Sequence, residues 1–296
     1  MRTLASLQPS PRRLPRVFFF ACFSWTAVLC VAQVPGNTIS DIYVPLDSRG
    51  VASSSFSLGG TKVAVTEIEP VAKSPMHVAF VIDGAKHQAG MLQLTQDYVK
   101  AITQALKDDN VGYRAIVTGA AKLTEEAPGD AFLNQLPQLL SDSSTDATSA
   151  ESLSRALQQA IESLPDSGGG AVIVISDGDD DVSDKSVKSL STTLAKHRVR
   201  LYSILLAFHD FYGTRTHSRW GINLEALSSR SGGDQHETNY QLRSQDAVRV
   251  TALAKHIPFG TLVSIPASES AHGSSPTSLE IRTADGKKLR SAQFLP

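Results

Sequence analysis

The sequence predicts an α/β fold, a doubly wound and mostly parallel sheet with helices on both faces, and three observations carry that expectation. Two continuous apolar runs, His77-Val78-Ala79-Phe80-Val81-Ile82 and Ala171-Val172-Ile173-Val174-Ile175, end at Asp83-Gly84 and at Ser176-Asp177-Gly178. Strands buried on both faces read this way, because neither side of the pleat meets water. Apolar residues at helical spacing follow each run, and the order strand, helix, strand, helix implies crossover connections in one parallel sheet.

Taken along the chain, residues 37–70 are rich in Thr, Ser, Val and Gly, with short alternating stretches at Ile42-Tyr43-Val44 and at residues 62–68. This is strand and hairpin chemistry, broken by Asp47-Ser48-Arg49-Gly50 and Gly59-Gly60. After the first apolar run, Met91, Leu94, Tyr98, Ala101, Ile102 and Ala105 predict an amphipathic helix over 88–107. Tyr113 to Val117 reads as the next strand, and residues 129–140 as a short helix disturbed by Pro137. Leu153, Ala156, Leu157, Ala160, Ile161 and Leu164 trace another helix, opened by Thr148 and Glu151 at capping-box spacing. The second apolar run precedes a helix carrying Val187, Leu190 and Leu194, capped by Ser183 and closing on Lys196, His197 and Arg198, where the dipole favours cations. A strand over 201–206, a short helix over 224–231 ended by Gly232-Gly233, and a strand-like tail with a turn at Asp285-Gly286 complete the pattern.

The first 32 of 296 residues have the composition of a secretory leader. Arg2, Arg12, Arg13 and Arg16 precede an uncharged run from Val17 to Val31, with Cys30 and Ala32 suited to cleavage before Gln33. The alternative is an uncleaved anchor over 15–32. Both cysteines, Cys22 and Cys30, lie in this segment, so the mature chain holds no thiol and no disulfide. Without the four leader arginines, 24 basic face 29 acidic residues, a net charge of −5. Such a balance does not suit nucleic acid. The expected divisions are a leader at 1–32, an N-terminal β module at 37–72, an α/β domain at 75–257 and a C-terminal β segment at 258–296. No transmembrane span is expected in the mature chain.

Open parallel sheets bind ligands beyond the carboxyl ends of their strands, and Asp83 and Asp177 stand there, each followed by glycine. Two converging carboxylates suit a hard cation; each alone equally suits a strand end or a helix cap. Asp179, Asp180 and Asp181 extend the acidic run without the Gly and Glu spacing of a calcium loop. No nucleophile elbow or phosphate-binding loop occurs.

Residues 174–183, Val-Ile-Ser-Asp-Gly-Asp-Asp-Asp-Val-Ser, together with the spacing back to Asp83, resemble von Willebrand factor A domains. Val44-Pro45-Leu46-Asp47-Ser48-Arg49-Gly50, with Phe56 and Gly59-Gly60, resembles the β module of exported VWFA-related proteins of the acidobacterial type. The resemblance implies a metal-ion-dependent adhesion site built from Asp-x-Ser-x-Ser, a middle-loop Thr and the later Asp. Asp83, Asp177 and Thr148 match it, with Thr145 as a second middle-loop choice, but Ala85 and His87 occupy the two serine places. The expected site is therefore degenerate, with no cofactor or a weakly bound magnesium or manganese ion.

On that resemblance the chain is expected to be a non-enzymatic, exported module, periplasmic or secreted. It would dock a protein partner through its rim loops, including Lys86, His87, Asp179 and Asp180. Two other readings stay open: a metal-dependent hydrolase using Asp83, Asp177 and Asp179 to activate water, and a structural envelope protein without a site.

Overall fold

The computed structural model describes residues 39–58, 60–65, 67–71, 75–83, 92–107, 110–118, 123–141, 150–166, 170–176, 182–206, 221–238, 243–266, 279–289 and 292–294. In chain order the elements begin with β1 (Ile39–Val44), α1 (Ser48–Ala52), β2 (Ser55–Leu58), β3 (Thr61–Val63) and β4 (Glu67–Pro70). The centre comprises β5 (Met76–Ile82), α2 (Leu92–Ala105), β6 (Val111–Val117), β7 (Ala127–Pro128), α3 (Gly129–Ser141), α4 (Ala150–Glu162), β8 (Gly170–Ser176), α5 (Asp184–Lys196), β9 (Arg200–Leu205), α6 (Ile222–Ser231), β10 (Gln235–Glu237) and α7 (Arg243–His256). The chain closes with β11 (Thr261–Pro266), β12 (Leu279–Arg282), β13 (Lys288–Leu289) and β14 (Ala292–Phe294).

The central sheet runs β10-β9-β8-β5-β6-β7, parallel throughout except for β7. Numbered from β5, this is the doubly wound order in which the chain first builds outward through β6 and then crosses to the other side through β8. Both apolar runs become adjacent central strands, with every residue of β8 buried. Side chains alternate across the pleat. Phe80, Ile82, Val117, Ile173 and Ile175 pack with α2, α3 and α7; Val81, Ile116, Val172 and Val174 pack with α4, α5 and α6.

The expected helices appear with local differences. Residues 88–91 of the first lie outside the described residues, while α3 continues through Pro137. Ser183 occupies the N-cap of α5, but its hydroxyl meets the Ser186 hydroxyl at 2.9 Å instead of a backbone N–H. Gly232 ends α6 in the left-handed region, as a C-terminal glycine does. The sequence reading did not resolve α7, although Val250, Leu253, Ala254 and Ile257 keep helical spacing and are buried.

The two β flanks pair with each other. β1 joins β11 and β14, and β11 joins β4, in one sheet; β2 joins β12 and β3, and β12 joins β13, in a second. Ile42, Val44, Val51, Phe56, Val263, Ile265 and Ile281 form one core between these sheets. Neither flank could cover this surface alone, so strands more than 200 residues apart close one sandwich.

Arg200, 1% exposed at the start of β9, joins that sandwich to the central sheet. Its guanidinium lies 4.9 Å from the centre of the Tyr43 ring, and Nη1 donates to the Tyr202 hydroxyl at 3.2 Å. Stacking on an aromatic face offsets part of the several kcal/mol that burying a cation costs. Burial, opposed by Arg200, pushes the Tyr202 hydroxyl up to about 12. Tyr43 donates to the Phe259 carbonyl at 2.9 Å, and the next residue, Gly260, has φ +112. A Cβ there would meet the Tyr43 ring at 2.4 Å.

Gly260→Ala is expected to destabilise the protein by at least about 2 kcal/mol, since backbone strain and overlap add. Gly286→Ala, also at positive φ but with nothing within 4 Å, should cost about 1 kcal/mol. Urea titration of the two variants checks the order; equal losses would contradict the junction described here.

Candidate functional site

The sheet reverses its direction of growth between β5 and β8, and ligands of doubly wound proteins bind at that crevice beyond the strands' carboxyl ends. Register decides which residues meet there. Ile82 pairs with Val117 on one side and with Ile175 on the other. One step further, Asp83 N–H donates to the Ile175 carbonyl at 2.9 Å and Thr118 N–H to the Ile82 carbonyl at 2.8 Å. Asp83 therefore stands level with Thr118 after β6 and Ser176 at the end of β8.

Asp83 is 3% exposed, and both its carboxylate oxygens are engaged. The Thr118 hydroxyl donates to Oδ1 at 3.0 Å, and the Ser176 hydroxyl to Oδ2 at 2.8 Å. Thr118 and Ser176 are themselves 2% and 0% exposed. Hydrogen bonds to a charged acceptor contribute roughly 1.5–3 kcal/mol each, and two of them favour the ionised form that burial alone would penalise. Asp83 thus ties three adjacent strand ends together.

Of the residues expected at this site, Asp83 is placed at the rim. Asp177, Thr148, Lys86, His87, Asp179 and Asp180 lie outside the described residues, as do Ala85 and Thr145. Asp177 directly follows Ser176 in sequence, so the strands leading to the two aspartates are parallel neighbours that end at one rim. Beyond the acidic run, Val182 is buried, and Asn223 Nδ2 donates to its carbonyl at 2.6 Å and to Asp184 Oδ1 at 2.9 Å. This fastens the start of α5 to that of α6. Among the described residues no three His, Cys, Asp or Glu side chains converge as a metal cluster.

Sequence reasoning missed Thr118 and Ser176. The available signal was positional: each directly follows the apolar residues that close its strand, as Asp83 does.

Other polar groups lie away from the rim. Near the amino ends of β5 and β6, Glu126 Oε2 sits 2.9 Å from His77 Nδ1 and accepts from Arg114 Nη2 at 2.6 Å. Partial burial would raise the Glu126 carboxyl, but His77 and then Arg114 outweigh it and hold the group below 4.5. At the sheet edge, His236 on β10 faces Asp246 of α7 at 3.5 Å, too long for a good hydrogen bond. Burial pulls its imidazole below 6.5, against the opposite pull of Asp246. Two surface cavities, about 420 and 620 Å³, lie along α2 and α3, lined by mixed polar and apolar side chains that include Gln104, Asp130 and Leu133.

No protein-family model and no curated protein matches the chain in sequence. Solved structures similar to it include an aerotolerance-related membrane protein from Bacteroides fragilis NCTC 9343, at 12% identity over 60% of this chain and 98% of that one, with a TM-score of 0.45. BatB from Bacteroides thetaiotaomicron is 15% identical over 61% of this chain and 99% of its own, TM-score 0.43. A von Willebrand factor type A protein from Catenulispora acidiphila is 8% identical over 87% and 73%, TM-score 0.49. The doubly wound order and its switch point, read directly from the strand pairing, give this chain the fold that the von Willebrand factor A resemblance implies.

Both depressed groups make acid destabilising. The unfolded chain takes up protons at His236 first, so its contribution is complete above 6.5 and is lost as pH falls from there toward its folded value. The Glu126 contribution is complete above 4.5 and is lost below it in the same sense. Urea midpoints across this range should fall in two stages, with His236→Gln flattening the first and Glu126→Gln the second. A wild-type profile that is flat from neutral pH down to 4.5 would contradict the His236 assignment.

Proposed function

We propose that this chain is an exported, non-enzymatic protein-binding module of the von Willebrand factor A type, which docks a protein partner on the loops at the carboxyl rim of its sheet without needing a divalent cation. The observation that carries the reading is the rim itself. Connections 84–91, 119–122, 177–181 and 207–220 all leave from the carboxyl ends of β5, β6, β8 and β9, and three of the four start beside the Asp83 cluster. A rigid platform with variable loops at one edge is a general way to build a recognition surface.

The residues fit poorly with the cation that the resemblance implies. Magnesium asks for near-ideal octahedral oxygen coordination. In this chain Ala85 and His87 take the two serine places, and the Asp83 oxygens already accept from Thr118 and Ser176. The same engagement disfavours a hydrolase, since a buried aspartate whose two oxygens already accept hydrogen bonds is badly placed to hold a water-activating metal. Export is supported by the leader composition of residues 1–32, and the thiol-free remainder places no demand on redox compartment. No helix among the described residues is long and apolar enough to cross a membrane.

Photo-crosslinkers introduced one at a time at Lys86, His87 and Asp180 in the native envelope test the docking reading. Capture of one and the same protein from these rim positions, undiminished by EDTA, and its absence from an α2 control at Lys100, is the expected outcome. Equal capture from Lys100, or loss of capture in EDTA, would overturn it. Mass measurement of the exported chain should place its first residue at Gln33.

A further inference from the structure

We infer that the buried cluster of Asp83, Thr118 and Ser176 replaces a bound cation as the device that fixes the rim, so that Asp83 serves as a clasp between strand ends and not as a metal ligand. The inference rests on the docking reading only for its purpose: the three loops that begin at this cluster need fixed starting points if they are to present one surface.

Three features of the cluster support the assignment. The first is stoichiometry. A carboxylate carries one negative charge on two oxygens, and each oxygen receives one hydroxyl proton from a different neighbouring strand. A hydroxyl can donate only one proton, so Thr118 and Ser176 each commit theirs to Asp83. A cation bound to that carboxylate would compete with both charge-assisted bonds for the same acceptor.

The second is access. Asp83, Thr118 and Ser176 are 3%, 2% and 0% exposed, and magnesium sheds its water reluctantly, keeping several waters when it binds protein. The third is the sequence of the first loop, where an alanine and an imidazole stand at the places that would complete an oxygen cage. Imidazole is a ligand for zinc and other transition metals more than for magnesium.

The ladder shows why a clasp is needed at this level. β5 has a strand on either side, and its last regular pairs are Ile82 with Val117 and Ile82 with Ile175. Past those pairs the Asp83 and Thr118 backbone bonds and the two hydroxyl bonds to the Asp83 carboxylate continue to link the three strands. Strand ends fray where the ladder stops, and a shared buried acceptor holds three ends by one group.

The test uses the full mature chain, with Asp83→Asn, Thr118→Val, Ser176→Ala and the Asp83→Asn/Ser176→Ala double variant, melted in EDTA and in excess magnesium or manganese. Each single variant is expected to melt several degrees below wild type by the same amount in every buffer, and the double variant to melt near the lower single one, because both changes act on the same Ser176–Asp83 bond. A metal site filled at about a hundred times its Kd would raise the wild-type midpoint by roughly 5–10 °C. A rise of that size, abolished by Asp83→Asn, overturns the clasp; so do additive losses in the double variant. Should Asp83→Asn not fold, Thr118→Val and Ser176→Ala still decide the matter, since a clasp predicts metal-independent losses and a metal site predicts losses that appear only with metal present. Melting reads the clasp and crosslinking reads the docking surface, so either can fail while the other stands.

Discussion

One carboxylate sits where three parallel strands stop, and the arrangement of the candidate site follows from how it is satisfied. The middle of β5 and β8 is apolar on both faces, so a polar group placed there would cost a few kcal/mol. Just past the apolar pairs of Ile82 with Val117 and with Ile175, parallel register brings the next residues of β5, β6 and β8 level. Asp83, Thr118 and Ser176 are thereby brought level by pairing, not by any local motif, and two hydroxyl donors meet one acceptor. Because the strand order reverses between β5 and β8, the same spot is also the crevice from which loops diverge to the two faces.

A second constraint acts at the other end of the domain. The N- and C-terminal flanks each present short strands that cannot form a stable sheet alone, and they solve this by interleaving into two sheets around a common core. The cost is entropic, since chain ends separated by the whole central domain must meet. The junction answers with burial and with a cation: Arg200 projects from β9 onto Tyr43 of β1, and Tyr43 is in turn fixed by the Phe259 carbonyl beside a glycine that leaves room for its ring. The central sheet and the sandwich are joined through the strand next to the switch point.

Much of the architecture was legible in the sequence because it depends on periodicity. The runs at 77–82 and 171–175, the stripe from Leu153 to Leu164, and the glycine stop at 232 each determine local structure through burial or backbone freedom. The pairing of the flanks was not legible, since alternation in β1 or β12 reports that one face is buried without saying against what. At the site, Asp83 stood out because a carboxylate after an apolar strand is unusual. Thr118 and Ser176 did not, because a hydroxyl there is unremarkable until a neighbouring strand supplies the charge that gives it a role. Alanine and histidine at 85 and 87 differ from the serines that the resemblance implies, whereas the meeting of Thr118 and Ser176 with Asp83 came only from three-dimensional register.

The measurement that bears most directly on this arrangement is NMR of the mature chain labelled at its carboxylates, titrated with manganese. A clasp predicts that the Asp83 side-chain carbon keeps its position and linewidth, and that slowly exchanging hydroxyl protons of Thr118 and Ser176 remain visible beside it. Selective broadening of the Asp83 resonance by the paramagnetic ion, with loss of those hydroxyl signals, would contradict it and return the carboxylate to the role of metal ligand.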